Sequence, residues 1–202
     1  MKNNSFFWDK VAGIYDIFVY IINFKTHKNL KKILVPLFDS NDFVLECACG
    51  TGMLTKMIAN QGSKIIATDF SEKMLQKAET KCREYKNVHF KIVDISKLDF
   101  EDNSFDKVVA GNVIHLLENP KKALEELIRV CKPSGEIIIP TYINGKENVF
   151  IKILGMFGAN SNFKRKFTLS SYKQFFINSG CQNVRYIKVD GFIPCAIAII
   201  TK

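Results

Sequence analysis

Between Asp42 and Tyr142 the sequence alternates short apolar runs with longer segments in which apolar residues recur every three or four positions. The short runs indicate strands that are buried on both faces, whereas the longer segments indicate helices with one apolar face. Strands that alternate with helices pair in parallel, because each right-handed helical crossover returns the chain to the same end of the sheet. The pattern therefore predicts an α/β fold with a doubly wound, mostly parallel sheet and helices on both faces.

Seven runs are predicted to be the strands of this sheet. The first five cover residues 43–47, 64–69, 88–94, 105–112 and 135–142, and the last two cover 184–190 and 192–201. Gly191 alone separates the last two runs, which predicts a hairpin with an antiparallel strand. The sheet should therefore contain seven strands, closed by this hairpin.

Helices are predicted between the strands and at the N-terminus. Ser71 should cap the helix that follows the second strand, because its hydroxyl can accept a hydrogen bond from the first helical turn. The other predicted helices are an amphipathic segment from Trp8 to Val19, a second at 26–37 that Pro36 closes, and segments 51–62, 119–132, 147–158 and 170–179.

Composition and charge narrow the class of protein. The chain has 202 residues, of which 47% are apolar and 24% charged, so it can bury a core as one domain without disulfides. Its net charge of +9 is uneven, because residues 1–40 contribute +3, 41–110 contribute −1 and 111–202 contribute +7. Any anionic partner should therefore meet the C-terminal half, although a solvated basic face would give the same count.

The six cysteines form no CxxC pair in the sequence, and only three histidines are available to complete a metal site, so no metal is expected. Such a thiol set is typical of a reduced, cytoplasmic protein. No apolar run approaches the roughly 18 residues of a membrane-spanning helix. Charged residues interrupt the N-terminal apolar stretch, so a signal peptide is not expected either.

The stretch LECACGTG at residues 45–52 joins the first predicted strand to the first helix of the core. Gly50 and Gly52 let the backbone approach a ligand closely, and the following helix offers unpaired N–H groups at its positive end. This arrangement predicts a cradle for a nucleotide or a carboxylate. A tight turn between strand and helix also needs glycine, so the loop by itself leaves a purely structural role open.

Two aspartates follow the next strands of the predicted sheet. Asp69 ends the second strand, at the spacing where a carboxylate can accept both hydroxyls of a bound ribose. Asp94 ends the third strand, where it can accept a hydrogen bond from an adenine amine while Ile95 contacts the ring. Because the carboxyl ends of parallel strands meet at one edge, the aspartates and the glycine loop together predict a nucleoside site.

With these motifs the chain resembles the class I S-adenosylmethionine-dependent methyltransferases, in particular the broad small-molecule group that includes the ubiquinone and menaquinone C-methyltransferases. The resemblance extends over almost the whole length and rests on WDKVAGIYD, LECACGTG, TDFSEKML, FKIVDI, FDKVVAGNVIHLLENP and LIRVCKPSGEIIIP. It implies a Rossmann-like fold, S-adenosylmethionine as cofactor and S-adenosylhomocysteine as product. A nicotinamide dehydrogenase is disfavoured, because its GxGxxG motif would require glycine in place of Ala48 and Met53.

The resemblance also implies which residues contact the cofactor. Glu46 would orient groups near the methionine amine, and the loop 48–52 would hold the methionine portion. Asp69 would bind the ribose, and Asp94 the adenine. The complete set of expected cofactor contacts is Tyr15, Glu46, Ala48, Cys49, Gly50, Gly52, Asp69, Phe70, Met74, Asp94, Ile95 and Asn112. Ala48 stands where the family most often has glycine, and its methyl group is expected to allow an ordinary backbone conformation. Glu46 stands where aspartate is more frequent.

Methyl transfer from a sulfonium is a direct displacement, so the protein mainly has to align two reactants and exclude water. No nucleophile motif is expected for this chemistry. His115, after the fourth strand, is a candidate base, and Tyr15 is a candidate lid residue over the cofactor. A packing role is the alternative for both residues.

The resemblance divides the single domain 1–202 into a helical lid at 1–40, a cofactor-binding core at 41–142, an acceptor-side insertion at 143–180 and a closing hairpin at 181–202. Residues 144–173 carry six basic residues, one acidic residue and four phenylalanines. That composition predicts a small hydrophobic or anionic methyl acceptor and permits contact with an anionic membrane surface.

Two other functions stay open on the sequence alone. RNA is an alternative acceptor, because bases stack on aromatic rings that lie between basic residues. Against it, AGNV at 110–113 stands where amino-methylating nucleic-acid enzymes carry an NPPY-type tetrad. A protein that binds the cofactor without turnover is the other alternative.

Overall fold

The computed structural model of the chain describes residues 23–143 and 164–202, and these residues contain a seven-stranded sheet in the order β3-β2-β1-β4-β5-β7-β6. The strands are β1 (Phe43–Cys47), β2 (Lys64–Asp69), β3 (Val88–Ile92), β4 (Phe105–Ala110), β5 (Cys131–Tyr142), β6 (Val184–Val189) and β7 (Cys195–Thr201). The predicted α/β sheet of seven strands is therefore confirmed.

The pairing of the strands explains where a ligand can bind. Strands β1 to β5 pair in parallel with one another, and β7 is antiparallel to both β5 and β6. From β1 the chain moves outward to β2 and β3, then crosses back to β4 on the other side of β1. This reversal creates a crevice at the carboxyl ends of the strands, which is where doubly wound folds bind ligands.

Five helices are seen in the described part of the chain. They are α1 (residues 23–34 as described), α2 (Met53–Ala59), α3 (Glu72–Cys82), α4 (Pro120–Val130) and α5 (Leu169–Asn178). A 3-10 turn at Val35–Leu37 ends α1, and it contains the predicted breaker Pro36. The Ser71 hydroxyl accepts a hydrogen bond from the Met74 N–H at 3.2 Å, which confirms the predicted cap of α3.

Apolar side chains are buried on both faces of the sheet. Successive residues of a strand point to opposite faces, and accordingly Val44 and Leu45 of β1 belong to different buried clusters. The cluster of Val44 includes side chains of α1, α2 and α3, whereas the cluster of Leu45 includes side chains of α4 and α5. The helices therefore cover both faces, as predicted. Among the described helices, none is long and apolar enough to cross a membrane.

Several predicted boundaries are wrong by a few residues. Strand β3 ends at Ile92 instead of residue 94, because the carboxylate of Asp94 accepts the Ser96 N–H and turns the chain. Strand β5 begins at Cys131, four residues before the predicted start. The predicted helices at Trp8–Val19 and 147–158 lie outside the described residues.

The connection between β6 and β7 is also longer than predicted. It consists of residues 190–194, and Pro194 has no N–H to donate to a strand ladder. Helix α1 packs directly against this turn, because a Cβ at Gly191 would lie 1.7 Å from the Thr26 hydroxyl. The single glycine that predicted a tight hairpin is instead required for close contact between the turn and α1.

Candidate functional site

The expected cofactor contacts come together at one edge of the sheet. Glu46 lies in β1, Asp69 ends β2, Asp94 follows β3 and Asn112 follows β4. These four strands are parallel to their sheet neighbours, so their carboxyl ends lie at the same edge. Tyr15, which was expected to act as a lid, lies outside the described residues.

The loop 48–52 between β1 and α2 adopts a left-handed backbone at three positions. The angle φ is +54° at Ala48, +56° at Gly50 and +80° at Gly52. Glycine adopts such angles readily, whereas a Cβ adds about 1–2 kcal/mol of strain. The expectation of an ordinary backbone conformation at Ala48 is therefore wrong. The same geometry explains why glycine would suit this position.

The two glycines of the loop have different roles. A Cβ at Gly52 would lie 3.1 Å from the Ala78 Cα and 3.3 Å from the Cys82 sulfur, so the missing side chain lets α3 pack against the loop. A Cβ at Gly50 would meet no atom within 4 Å. Gly50 therefore borders open space at the edge of the sheet, where a ligand can approach the backbone.

Asp69 holds the loop in place. Its Oδ2 accepts the Gly50 N–H at 2.8 Å, and its Oδ1 accepts the Ser71 N–H at 2.9 Å. The carboxylate is almost completely buried. A carboxylate oxygen can accept more than one hydrogen bond, so these two bonds are compatible with the predicted contact to ribose hydroxyls. Asp69 therefore has a structural role that the sequence did not indicate, and its role as a ligand stays a prediction.

Asp94 lies next to Asp69 because the Val93 N–H donates to the Asp69 carbonyl at 3.1 Å. The Asp94 Oδ1 accepts the N–H of Ser96 at 2.9 Å and its hydroxyl at 2.7 Å. The carboxylate is half-buried, and the side chain of Ile95 is buried beside it. One carboxylate oxygen is therefore held by the turn, which fixes the position of the group at this edge.

Glu46 is a buried acid near the end of β1, with an exposed fraction of 1%. Burial raises its pKa to about 8, and the negative charge of Asp69 contributes to the increase while Thr55 opposes it. Among the described residues, no hydrogen-bond donor contacts Oε2 of this side chain. A buried carboxylate oxygen without a partner suits a cationic group, and the amine and the sulfonium of S-adenosylmethionine are such groups.

Three further residues that are predicted to contact the cofactor differ in solvent exposure. Phe70 is half-buried after β2, whereas Cys49 and Met74 are buried. Burial raises the pKa of the Cys49 thiol well above its usual range, so this cysteine is a packing residue and not a nucleophile. Its backbone N–H donates to the Thr68 carbonyl at 2.9 Å, which ties the loop to β2.

Asn112 connects β4 to β5. Its backbone is left-handed, with φ of +54°, a conformation that asparagine tolerates better than most residues. Its side-chain oxygen accepts the Tyr142 N–H at 3.0 Å, and its own N–H donates to the Pro140 carbonyl at 2.7 Å. The side-chain oxygen of this predicted cofactor contact is therefore already used by the end of β5.

His115 is buried in the loop between β4 and α4. Burial lowers its pKa to about 4, so the imidazole is neutral at neutral pH. Its carbonyl accepts the Arg165 N–H at 3.1 Å. The backbone of the candidate base is thus tied to the segment that enters α5.

The basic segment 164–166 binds this same loop. The Arg165 guanidinium donates to the carbonyls of Leu117 and Glu118, at 2.5 and 3.1 Å. Lys164 lies 3.7 Å from the Glu118 carboxylate. The acceptor-side composition led us to expect these cations to face an anionic acceptor, but Arg165 instead anchors the loop, and Lys166 is exposed.

One pair of polar side chains was missed by the sequence analysis. A hydrogen bond of 2.5 Å joins the Nε2 of His27 in α1 to the hydroxyl of Tyr142 at the end of β5. Burial lowers the pKa of His27 to about 4. The two residues are 115 positions apart, and His27 is one polar position of an amphipathic helix, so no local pattern relates them.

Several known proteins are similar to this chain in sequence. A family described as a methyltransferase domain matches residues 45–139. A demethylmenaquinone methyltransferase of Paenarthrobacter aurescens is 32% identical over 67% of this chain and 53% of its own length. A ubiquinone/menaquinone biosynthesis C-methyltransferase of Hydrogenovibrio crunogenus is 29% identical over 76% of this chain and 63% of its own length. The chain thus spans between half and two thirds of these two relatives.

A solved structure is also similar. A SAM-dependent methyltransferase from Aquifex aeolicus superposes with a TM-score of 0.65 at 21% identity, covering 87% of this chain and 88% of its own. At that identity the similarity concerns the fold, which has the same Rossmann-like architecture.

Proposed function

Because the chain belongs to the class I S-adenosylmethionine-dependent methyltransferases, we propose that it transfers the methyl group of that cofactor to a small, apolar, quinone-like acceptor. The observation that carries the proposal is the loop 48–52, which Asp69 holds in a left-handed conformation with open space at Gly50. Such a loop, at the first strand of a doubly wound sheet, can let a ligand approach the backbone closely.

The cofactor would lie along the carboxyl ends of β1, β2 and β3, which we term the cofactor end. Asp69 would accept the ribose hydroxyls, and Asp94 the adenine amine. Glu46 would face the cationic part of the methionine portion, because its buried Oε2 has no donor among the described residues. Ile95 and Phe70 would contact the adenine ring, since both lie next to these aspartates in the chain.

The acceptor would lie over the carboxyl ends of β4 and β5 with α1 and the turn 190–194, which we term the acceptor end. When bound, S-adenosylmethionine supplies an electrophilic methyl group for direct displacement. The chain has to align the acceptor with that methyl group and exclude water. The neutral imidazoles of His27 and His115 can accept a proton, and the pair of His27 with Tyr142 lies closer to the end of β5.

The choice of acceptor rests on the relatives. By name, the two relatives act in menaquinone or ubiquinone biosynthesis, and demethylmenaquinone is an apolar aromatic molecule. The phenylalanine-rich composition of 144–173 agrees with such an acceptor, although residues 144–163 lie outside the described part of the chain. This segment, and not the cofactor end, is where we expect acceptor specificity to be determined.

Calorimetry followed by an acceptor assay tests the proposal. The intact protein should bind S-adenosylhomocysteine and S-adenosylmethionine and should not bind a nicotinamide dinucleotide. With S-adenosylmethionine and a naphthoquinone that lacks the ring methyl group, in oxidised and reduced form, mass spectrometry should show an acceptor heavier by one methylene.

Each other outcome contradicts a defined part of the proposal. Binding of the dinucleotide alone would overturn the cofactor. Methylation of RNA, supplied in parallel, without methylation of the quinone would overturn the acceptor class. Cofactor binding without turnover on either acceptor would indicate a binding protein in place of an enzyme.

A further inference from the structure

Two exposed phenylalanines lie at the acceptor end of the sheet. Phe24 of α1 is 62% exposed, and Phe192 in the turn 190–194 is 58% exposed. Among the described residues, the other large apolar side chains with comparable exposure are Ile92 on β3 and Ile177 on α5, which belong to different elements. Single exposed apolar residues are ordinary, whereas two aromatic rings on adjoining segments require an explanation.

Hydrogen bonds hold the two segments together. The Asn23 side chain accepts the Ile193 N–H at 3.0 Å and donates to the Ile193 carbonyl at 3.2 Å. The Thr26 hydroxyl donates to the same carbonyl at 2.9 Å. Phe24 and Phe192 are the chain neighbours of Asn23 and Ile193, so both residues lie directly beside these hydrogen bonds.

Lysines lie on the same helix as Phe24. Helix α1 carries Lys25, Lys28, Lys31 and Lys32, all of them exposed, and residues 23–34 contain no acidic residue. Lys28 and Lys31 follow Phe24 by four and seven positions, so they share its stripe of the helix. The acidic residue of the adjoining turn, Asp190, is paired with Lys188 at 2.9 Å. The exposed face of α1 is therefore strongly cationic.

We propose that Phe24, Phe192 and these four lysines form a docking surface that binds an anionic lipid bilayer peripherally. Apolar rings can enter the interface between head groups and acyl chains, and lysines beside them attract anionic lipids. Strand β7 begins at Cys195 opposite Tyr142, so the turn 190–194 lies at the acceptor end. Binding to the bilayer does not depend on the proposed function. Only its biological purpose does, because such binding would give the protein access to an acceptor dissolved in the membrane.

The chemistry of the surface favours lipid over RNA. Proteins that bind single-stranded nucleic acid line a groove with basic residues, and arginine is the preferred residue for phosphate and base contacts. The docking surface is instead the outer face of a helix with an adjoining turn, and all four of its cations are lysines. A bilayer surface needs neither a groove nor bidentate contacts.

Vesicle sedimentation with the full chain tests the proposal without any turnover. The protein should bind vesicles made of equal parts phosphatidylcholine and phosphatidylglycerol and should bind phosphatidylcholine vesicles weakly. Each lysine near an anionic surface contributes about fivefold to the partition coefficient, so Lys28→Ala with Lys31→Ala should weaken binding roughly 25-fold. This loss should largely disappear at ~1 M salt, where charges are screened within ~3 Å.

The aromatic contribution should behave differently. Phe24→Ser with Phe192→Ser should weaken binding by roughly tenfold or more, and this loss should persist at high salt because burial of apolar rings does not depend on screening. Ile177→Ser is the matched apolar control. Arg83→Ala with Lys86→Ala is the matched charge control, because both residues are exposed at the opposite edge, between α3 and β3.

Equal binding to the two kinds of vesicle, or equal losses in the docking and control variants, would overturn the docking surface. Tighter binding of a single-stranded RNA oligonucleotide than of vesicles, lost in the lysine variant, would assign the surface to RNA. All variants should keep the affinity of the original chain for S-adenosylhomocysteine. Vesicle binding without methyl transfer would contradict the proposed function alone, and methyl transfer to a detergent-dispersed acceptor without vesicle binding would contradict the docking surface alone.

Discussion

The cofactor end and the acceptor end occupy the same edge of one sheet, but their contacts span very different distances along the chain. At the cofactor end, the bond between Gly50 and Asp69 joins residues 19 positions apart. At the acceptor end, the bonds between Asn23 and Ile193 join residues 170 positions apart. The first end is assembled by consecutive strand and loop units, whereas the second needs both ends of the chain to be in place.

Because the contacts of the cofactor end are local in the chain, we expect a single substitution there to lower both cofactor affinity and stability. Asp69→Ala removes two charge-assisted hydrogen bonds to the N–H groups of Gly50 and Ser71, together with the proposed ribose contact. Each such bond contributes roughly 1.5–3 kcal/mol. We expect affinity for S-adenosylhomocysteine, measured by calorimetry, to fall by at least ~10-fold, and the melting temperature to fall as well.

Two variants sharpen this result. Asp99→Ala removes a carboxylate that is 85% exposed and should change neither quantity. Asp69→Asn keeps one acceptor oxygen and the shape of the side chain, so it should retain part of the stability of the loop. An unchanged dissociation constant in Asp69→Ala would exclude the cofactor role, and an unchanged melting temperature would exclude the structural role.

The two ends should also respond to pH with opposite signs. Burial raises the pKa of Glu46 to about 8 from an unfolded value near 4.5, so the folded protein binds the extra proton and stability falls as pH rises between these values. Burial lowers the pKa of His27 and of His115 to about 4 from about 6.5. For these two the unfolded chain binds the proton, and stability falls as pH falls between about 6.5 and 4.

Stability should therefore be greatest near pH 6.5, with slopes of at most ~1.4 kcal/mol per pH unit for each group. Denaturant unfolding across this range is the measurement. Glu46→Gln should flatten the alkaline side and should steepen the acid side, because Glu46 opposes the two histidines between about pH 4.5 and 6.5. His27→Gln or His115→Gln should make the acid side shallower. His89→Gln, which removes an exposed histidine from β3, is the matched control for the substitution itself. An alkaline slope that survives in Glu46→Gln would contradict the assignment to this residue.

The sequence predicted the cofactor end better than it predicted the acceptor end. Asp69 and the glycine loop were identified correctly as neighbours, because strands that alternate with helices place successive strand ends at one edge. The contact of His27 with Tyr142 and the anchoring of the loop by Arg165 were missed, because they depend on which distant segments pack together. Periodicity predicts which face of a helix is buried, but it does not predict which other segment packs against that face.

Backbone angles were the other quantity that the sequence did not reveal. Alanine is typical of a negative φ, so its presence at position 48 gave no sign of the positive φ, whereas Gly50 and Gly52 did indicate such a turn. The length of the turn 190–194 was missed for a related reason. Gly191 is required by its contact with Thr26, and nothing in the local sequence distinguishes this requirement from that of a tight hairpin.

The smallest expected effect concerns Ala48 and would show that the cofactor end stores strain. With φ at +54°, Ala48 carries about 1–2 kcal/mol of strain that glycine avoids, and glycine loses back about 0.5–1 kcal/mol through the greater freedom of the unfolded chain. Ala48→Gly should thus stabilise the protein by roughly 0.5–1 kcal/mol, which for this size raises the melting temperature by ~1–4 °C. Ala59→Gly, at the end of α2 with an ordinary negative φ, should instead destabilise it by about 1 kcal/mol. If Ala48→Gly were also destabilising, the contact of the Ala48 methyl group with the buried cluster of Leu45 would outweigh the strain, and the loop would be held by packing and not by its hydrogen bonds alone.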